Sequence, residues 1–590
     1  MKRKVLWLVL TLLLATTLVL SSCTKNTTTG SSTTTAATTA ATSKTTSNTT
    51  AVTTKVTTTT TASASTPVYG GSLTYFHQNM GWSPQGFDNL QGSLGGPFWQ
   101  YPYMEFLVGA DIEKYGPRGN NQYAFQSANY LPEQFLGPEL AQSWEITTTT
   151  MTFHLQKGVM WTGNANIKMP PRELIASDVV FSLSRAMNSP ITASRLNFIN
   201  VITAPEKYTV VFELNRYDAS WPDILGGQFS SGIISPEQVA AGADQWQNAV
   251  GTGPFIITDY VEGAGGNYKA NPNYRGTTTI NGKKYKLPFI DTYRLPVIPD
   301  ESSQIAAIRT GKIDWFVNVP AQYGATLTKS TPDLIQEPYL SGHYSFARIQ
   351  RLTNEYLSNK TVRQALLIGT DLNAITKLFY PGGSTVSFPL VPSDPAYTPL
   401  DQLPAVNKQL WTYDPTLAKK MIADAGYPNG FTIELKGDAT AQDLCSTLAA
   451  QWAKIGVTAQ IQVIDLTTLI YDLTHGSMKG LICLGGDINN PLSGLNGVRS
   501  TVAGNCYTSA DGFDAMYTAC AGETDPLKRS ALEKDMALAV QLDAGEIPFA
   551  NVANLNCYYP YMMNYYGEVD AGAMNVVPLV ARIWIDKSAK

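Results

Sequence analysis

Across 590 residues, 42 basic side chains stand against 46 acidic ones, and a net charge of -4 leaves no electrostatic footprint for nucleic acid. A hydrophobic share of 44 % supports large cores, roughly two or three domains at this length, and excludes a wholly disordered chain. Six cysteines without a C-x-x-C pair, and four histidines without a partner at metal-ligand spacing, point to no metal and no cofactor.

The chain begins with charge on Met1 to Lys4, an apolar run from Val5 to Leu20 and the small-residue close Ser21-Ser22-Cys23. This is the grammar of a signal peptide over 1–22. The run is slightly short of the roughly 20 residues that span a bilayer, and no basic stop-transfer flank follows. Leu20-Ser21-Ser22-Cys23 resembles the lipobox of bacterial lipoproteins. The resemblance implies that Cys23 is the mature N-terminus and carries lipid, which makes the membrane a partner. Two or three acyl chains, at about 0.8 kcal/mol per buried methylene, hold a protein where one would not. Residues 24 to 67 are nearly all Thr, Ser and Ala, with three lysines and no acidic or aromatic residue. They bury too little apolar area to offset the entropy of ordering, so 23–67 reads as the lipidated cysteine and a disordered tether, reaching some 35 to 40 Å.

From Val68 the texture becomes mixed. "MTFHL" (151–155), "YTVVFEL" (208–214) and "VTAQIQVI" (457–464) alternate as half-buried strands do. In "DPTLAKKMIADAG", Asp414 caps, Pro415 takes the first helical position, Leu417, Met421 and Ile422 form a stripe, and Gly426 stops the helix. "TDPLKRSALEKDMALAV" repeats this with Asp525 and Pro526, then Leu527, Ala531 and Leu532 as the apolar side. Ser177 before "DVVFSLSRAM" and Gly456 after "LCSTLAAQWAKI" mark two further boundaries. The fold class is α/β. Beyond Cys23 the cysteines are Cys445, Cys483, Cys506, Cys520 and Cys557. Cys506 and Cys520 are near enough in sequence to close a short loop as a disulfide, and free buried thiols are the equal alternative.

Catalytic patterns are missing. There is no H-E-x-x-H, G-x-S-x-G or G-x-x-x-x-G-K-[ST], and His77, His154, His343 and His475 stand apart in sequence. Paired carboxylates for glycoside cleavage meet in space and leave no spacing rule, so a surface-tethered secreted hydrolase is the alternative function.

"GPELAQSWEITTTTMTFHLQKGVMWTG" (137–163) and "ASDVVFSLSRAM" (176–187) are followed in order by "GTGPFIITDY", "NPNYRG", "IRTGKIDWF", "VRQALLIGTD", "YDPTLAKKMIADAGYPNGF", "WAKIGV" and "GEIPFA". Together they resemble the family 5 extracellular solute-binding proteins, the oligopeptide- and dipeptide-binding lipoproteins of ABC importers. Most of these residues read as structural. Gly251, Gly253 and Pro254 shape a turn, Trp144, Phe153 and Leu155 are core, and Asp178 sits in a helix's first turn.

The resemblance implies a two-lobe, periplasmic-binding-protein-like fold (type II, cluster C-like). Lobe I would span 68–299 with a subdomain inserted at about 107–198, lobe II 300–547, and the chain would return to lobe I over 548–590. Crossings would fall near 296–301 and 545–550. It implies a non-enzymatic, extracytoplasmic and monomeric receptor that delivers a small solute or peptide to a permease. In "LICLGGDINNP" (481–491), Asp487 matches the aspartate that pairs with the α-ammonium of a bound peptide, four residues before Pro491, with Gly486 beside it. A carboxylate closed in a cleft is costly unless a cation arrives. The alternative is an aspartate that caps the turn with Asn489 and Asn490. Leu484 and Leu481 stand where oligopeptide binders place a tryptophan and an arginine. Trp82 in the loop 78–96, Tyr101 and Tyr103 are further candidates for the cleft wall, with packing as their alternative.

Overall fold

The computed structural model describes residues 66–77, 86–90, 96–126, 131–227, 231–385, 388–392, 394–474, 477–487, 490–496, 498–499, 512–572 and 575–589. The signal peptide, Cys23, nearly all of the tether, Trp82, His475 and Cys506 lie outside them.

Strand β1 (Ser72–His77) opens the fold. Strands β2 (Ala141–Ile146), β3 (Thr150–Leu155), β4 (Ile199–Glu206) and β5 (Thr209–Leu214) form a separate antiparallel sheet in the order β2-β3-β5-β4. Alternation in β3 follows its sequence, with Met151, Phe153 and Leu155 buried and the residues between them half-buried. Helix α1 (Ala176–Met187) packs Val179 and Leu183 into the same cluster as Phe153 and Phe212. Its start differs from the expectation at Ser177. Ile175 is the N-cap, and Asp178 reaches back to accept from the Ile175 N–H at 3.1 Å while Arg172 donates to it at 2.8 Å. A carboxylate in the first turn meets both the orphan donors and the positive end of the helix. The sheet takes in 199–214 as well as the stretch assigned to the inserted subdomain.

A second sheet joins β1 to β6 (Phe255–Val261), β7 (Gly265–Ala270), β8 (Thr292–Pro296), β9 (Trp315–Pro320), β10 (Ile335–Ile349), β11 (Phe431–Gly437), β12 (Val457–Val463), β13 (Leu481–Asp487) and β14 (Glu546–Tyr558). Its order is β12-β11-β13-β10-β14-β9-β1-β8-β7-β6. Parallel pairs flank β1 and β11, whereas the two long strands β10 and β14 are antiparallel. In that pair Ile335–Leu340 faces 553–558 and Tyr344–Arg348 faces 546–551, with a register break between Leu340 and Tyr344. The first half borders β9 and through it β1; the second borders β13 and through it β11. Gly342 lies in the break with φ +75°, a left-handed conformation that glycine takes without a Cβ clash. Strand β9, in the 300–334 stretch, pairs with β1 on the lobe I side.

Helices α2 (Trp221–Gly226), α3 (Pro415–Asp424), α4 (Gln442–Ala453), α5 (Pro491–Asn496), α6 (Phe513–Ala521) and α7 (Pro526–Asp543) complete the elements that matter for function. Helix α3 starts as its sequence says, with the Asp414 carboxylate accepting from the Leu417 N–H at 2.8 Å. Helix α7 is capped by Asp525 as expected but turns a different face inward. Leu527 is 84 % exposed, and Arg529, Glu533, Met536 and Val540 are buried. Strand β12, expected to be half-buried, ends the sheet, and Ile461 and Val463 are exposed because no strand covers them. One core gathers Trp99, Tyr268, Tyr293 and Trp315 behind β1, and another gathers Leu366, Leu435, Trp452 and Phe549 behind β11. This is a two-lobe α/β fold. A third cluster ties Phe153 and Trp221 of the first lobe to Phe346, Leu492 and Met536 of the second.

Candidate functional site

Asp487 is the last residue of β13, and its register partner across the ladder is His343, one residue beyond Gly342 in the break of β10. The strand therefore delivers the candidate aspartate to the seam between the lobes. Gly486 lies opposite Tyr344 and Gly485 opposite Ser345. A Cβ on Gly485 would fall 2.3 Å from Nε2 of His343, so the imidazole already occupies that space. Tyr344 stacks on Phe346 at 4.8 Å and 26° and leans on Phe388 at 5.1 Å. Tyr344 and Phe346 stand on the neighbouring strand, opposite the positions where the sequence carries Gly486 and Leu484. All three rings are buried in the core cluster that joins the lobes, so they back the strand without offering exposed aromatic surface in place of the missing tryptophan. The chain separation between 344 and 484 hid that arrangement from sequence reasoning.

On the lobe I side, β1 ends at His77. Asn318 in β9 lies in a register shift with φ +67° and makes a 2.8 Å hydrogen bond with His77 Nε2. Its carboxamide oxygen also accepts from Tyr339 and, at 3.3 Å, from Asn554. A non-glycine residue held left-handed by a polar network is a common signature of a functional position. A single asparagine in a strand gives no hint of this in sequence.

Between the lobes lies a cavity of about 460 Å³, walled by Leu131, Glu133, Asp223, Asn490, Pro491 and the first turns of α7. Asn490 and Pro491 come three and four residues after Asp487 in the chain. The walls are tied together across the seam. Asn490 Nδ2 donates to Asp223 Oδ2 at 2.8 Å, Arg529 donates to Glu133 Oε2 at 2.6 Å, and the Ala219 N–H donates to the Ala521 carbonyl at 2.8 Å. Glu133, Asp223 and Glu533 outnumber Arg529 in this lining. Burial, and then the neighbouring Asp394, push the Glu533 carboxyl up to about 8; burial pushes Asp394 up to about 7. The cavity thus has largely apolar walls, with Glu133 neutralised by Arg529 and the Glu533 carboxyl held protonated near neutral pH.

Tyr101 and Tyr103 are core residues, 4 % and 2 % exposed. The Tyr101 hydroxyl donates to the Gly227 carbonyl at 2.7 Å, just past α2, and so steadies the helix that carries Asp223. Both pack in the cluster around Trp99, and burial holds their hydroxyls above the usual phenol range. Among the described residues no group of three His, Cys, Asp or Glu side chains is arranged to hold a metal, and no helix is long and apolar enough to cross a membrane.

Residues 136–502 match the family model of the bacterial extracellular solute-binding proteins, family 5 (middle region). The heme-binding protein A of Haemophilus influenzae is 29 % identical over 471 residues, 72 % of this chain and 81 % of its own length. The dipeptide-binding protein of Escherichia coli is 28 % identical over 469 residues, 73 % of this chain and 83 % of its own. The ABC transporter-associated periplasmic binding protein DppA from Helicobacter pylori, solved in complex with peptide STSA, has a TM-score of 0.69 at 21 % identity, covering 88 % of this chain and 99 % of that one. Matched from before the four-stranded sheet, through β10, to beyond the end of β13, this chain belongs to the bacterial extracellular solute-binding proteins, family 5.

Proposed function

We infer that the chain is the lipid-anchored receptor of an ABC importer, and that it captures a peptide or similar amine-bearing solute between its lobes and delivers it to the permease. The observation that carries this reading is the pair of long strands, β10 and β14, continuous through both halves and broken in register at 340–344. That break is a place where two rigid halves can swing. On this reading the crossings lie at about 341–343 and 551–553, inside the strands, and 300–334 belongs with lobe I. A solute touching both walls binds the closed form better than the open one, and that difference in affinity closes the cleft. Asp487, at the seam, pairs with the ligand's ammonium, and the apolar lining of the cavity packs its remainder. The chemistry is binding and release, with monomeric receptor, solute and permease as the participants.

The compact unit Ala64–Lys590 can be tested with peptides that carry a free or an acetylated N-terminus. Calorimetry should find binding that requires the free amine, a raised melting temperature, and unchanged peptide by mass spectrometry. Turnover of the peptide would instead establish the hydrolase. Asp487→Ala should weaken the amine-bearing ligand by about 2 to 5 kcal/mol. Undiminished affinity in that variant would remove Asp487 from the site.

A further inference from the structure

Two buried thiols in lobe II face one another across the helix–strand layer. Cys445 lies on α4 and is fully buried, and Cys483 lies on β13 and is nearly so. Both belong to the core formed by Leu435, Leu448 and Leu481. Between them is Gly437, the last residue of β11. The parallel ladder pairs Leu435 with Leu481 and Lys436 with Ile482, so Gly437 is next in step with Cys483. A Cβ on Gly437 would meet Cys445 Sγ at 3.0 Å and Cys483 Cβ at 3.8 Å. The missing side chain is what lets the Cys445 sulfur approach the strand. Each thiol's influence on the other draws Cys445 below the usual thiol range and, with burial, holds Cys483 above it. Cys520 and Cys557 sit in other clusters, far from this layer.

We propose that Cys445 and Cys483 form a disulfide in the exported protein, linking α4 to the strand that ends at Asp487. An extracytoplasmic compartment favours the oxidised pair, whereas the cytosol keeps thiols reduced. The oxidant is an external disulfide, RSSR, supplied by a thiol–disulfide oxidoreductase or a small-molecule pool. The Cys445 thiolate attacks one sulfur of RSSR, which releases RS⁻ and leaves a mixed disulfide. Cys483 loses its proton and attacks Cys445 Sγ, forming the Cys445–Cys483 bond and expelling the second RS⁻. The protein loses two protons and two electrons, and RSSR gains them as two RSH. Because both sulfurs are buried in the folded lobe, exchange occurs during folding, before α4 docks. The bond replaces a soft thiol contact beneath the ligand-bearing strand with a covalent tie and closes a loop of lobe II.

Trypsin makes the test direct, since Cys445 is the sole cysteine of 437–454 and Cys483 the sole cysteine of 480–499. Full-length protein, exported by its own leader and recovered without reductant, is denatured in iodoacetamide and mapped. The expected result is one cross-linked species of these two peptides that reduction separates. Recovery of both as carbamidomethyl peptides from the unreduced sample would overturn the proposal, as would linkage of either to a different cysteine. A second reading is thermal. Reductant should lower the melting temperature of the wild type by several degrees and leave Cys445→Ser/Cys483→Ser unchanged; equal sensitivity in both would count against the bond. If the double variant does not fold, the wild-type map decides alone.

Discussion

Leu527 sits exposed at the rim of the cavity while Arg529 and Glu533, two and six residues further along α7, are buried, an inversion of what helical amphipathicity alone would choose. The reason is pairing across the seam. Arg529 gains Glu133 from the other lobe, and its charge offsets part of the cost of burying Glu533. Glu533 and Asp394 nonetheless remain short of positive charge, and their folded-state values near 8 and 7 lie above the roughly 4 of an unfolded carboxyl. Between those limits the native state binds more protons than the unfolded chain, so stability is greatest at acid pH and falls as pH rises from about 4 to 8. Glu533→Gln keeps the shape without the charge. It should be more stable than the wild type at pH 9, by on the order of 2 kcal/mol, with the advantage shrinking at pH 5, as read by urea unfolding at both values. An equal effect at the two pH values would mean that Glu533 is ionised throughout. None of this was legible in sequence, because Glu133 and Asp394 are far from Glu533 along the chain.

The strand β10 is the element on which the architecture turns. Its sequence, "IQEPYLSGHYSFARI", carries one glycine at the register break, and the two halves pair differently on either side of it. One half is paired into lobe I and the other into lobe II, and Gly342 at φ +75° carries the change of register. Gly342→Val places a β-branched residue in that left-handed position and should destabilise by roughly 1 to 2 kcal/mol, whereas Gly342→Asn, which tolerates the conformation, should lose less. Chemical denaturation of the two variants would show it; equal losses would point to crowding around the side chain and not to backbone strain. Helix α3, by contrast, was legible in full, since its cap, first proline and stop act within a dozen residues. The start of α1 was not, because Asp178 competes with Ser177 through Arg172, whose own position depends on Glu237 as well.

For the whole molecule, the proposed receptor meets its solute with both lobes and stands off the membrane on its tether. If Cys23 carries the lipid, Cys23→Ser should release the protein from membranes into the soluble extracytoplasmic fraction while the isolated receptor binds its solute unchanged. Retention on the membrane would place the anchor elsewhere. The order of motifs from 137 to 550 was enough to name the family and the fold class, because turns, caps and strand alternation are short-range and each is satisfied by neighbours in the chain. The candidate aspartate was named from its match to the family pattern four residues before Pro491, and the structure adds that it ends β13. What tertiary structure alone decided was the seam: which residues face each other there, that Tyr101 and Tyr103 are buried in the core, and that Cys445 and Cys483 share one core layer. Those outcomes depend on contacts between segments tens to hundreds of residues apart, and the burial of a charge or a sulfur is a property of what surrounds it, which no local pattern of residues encodes.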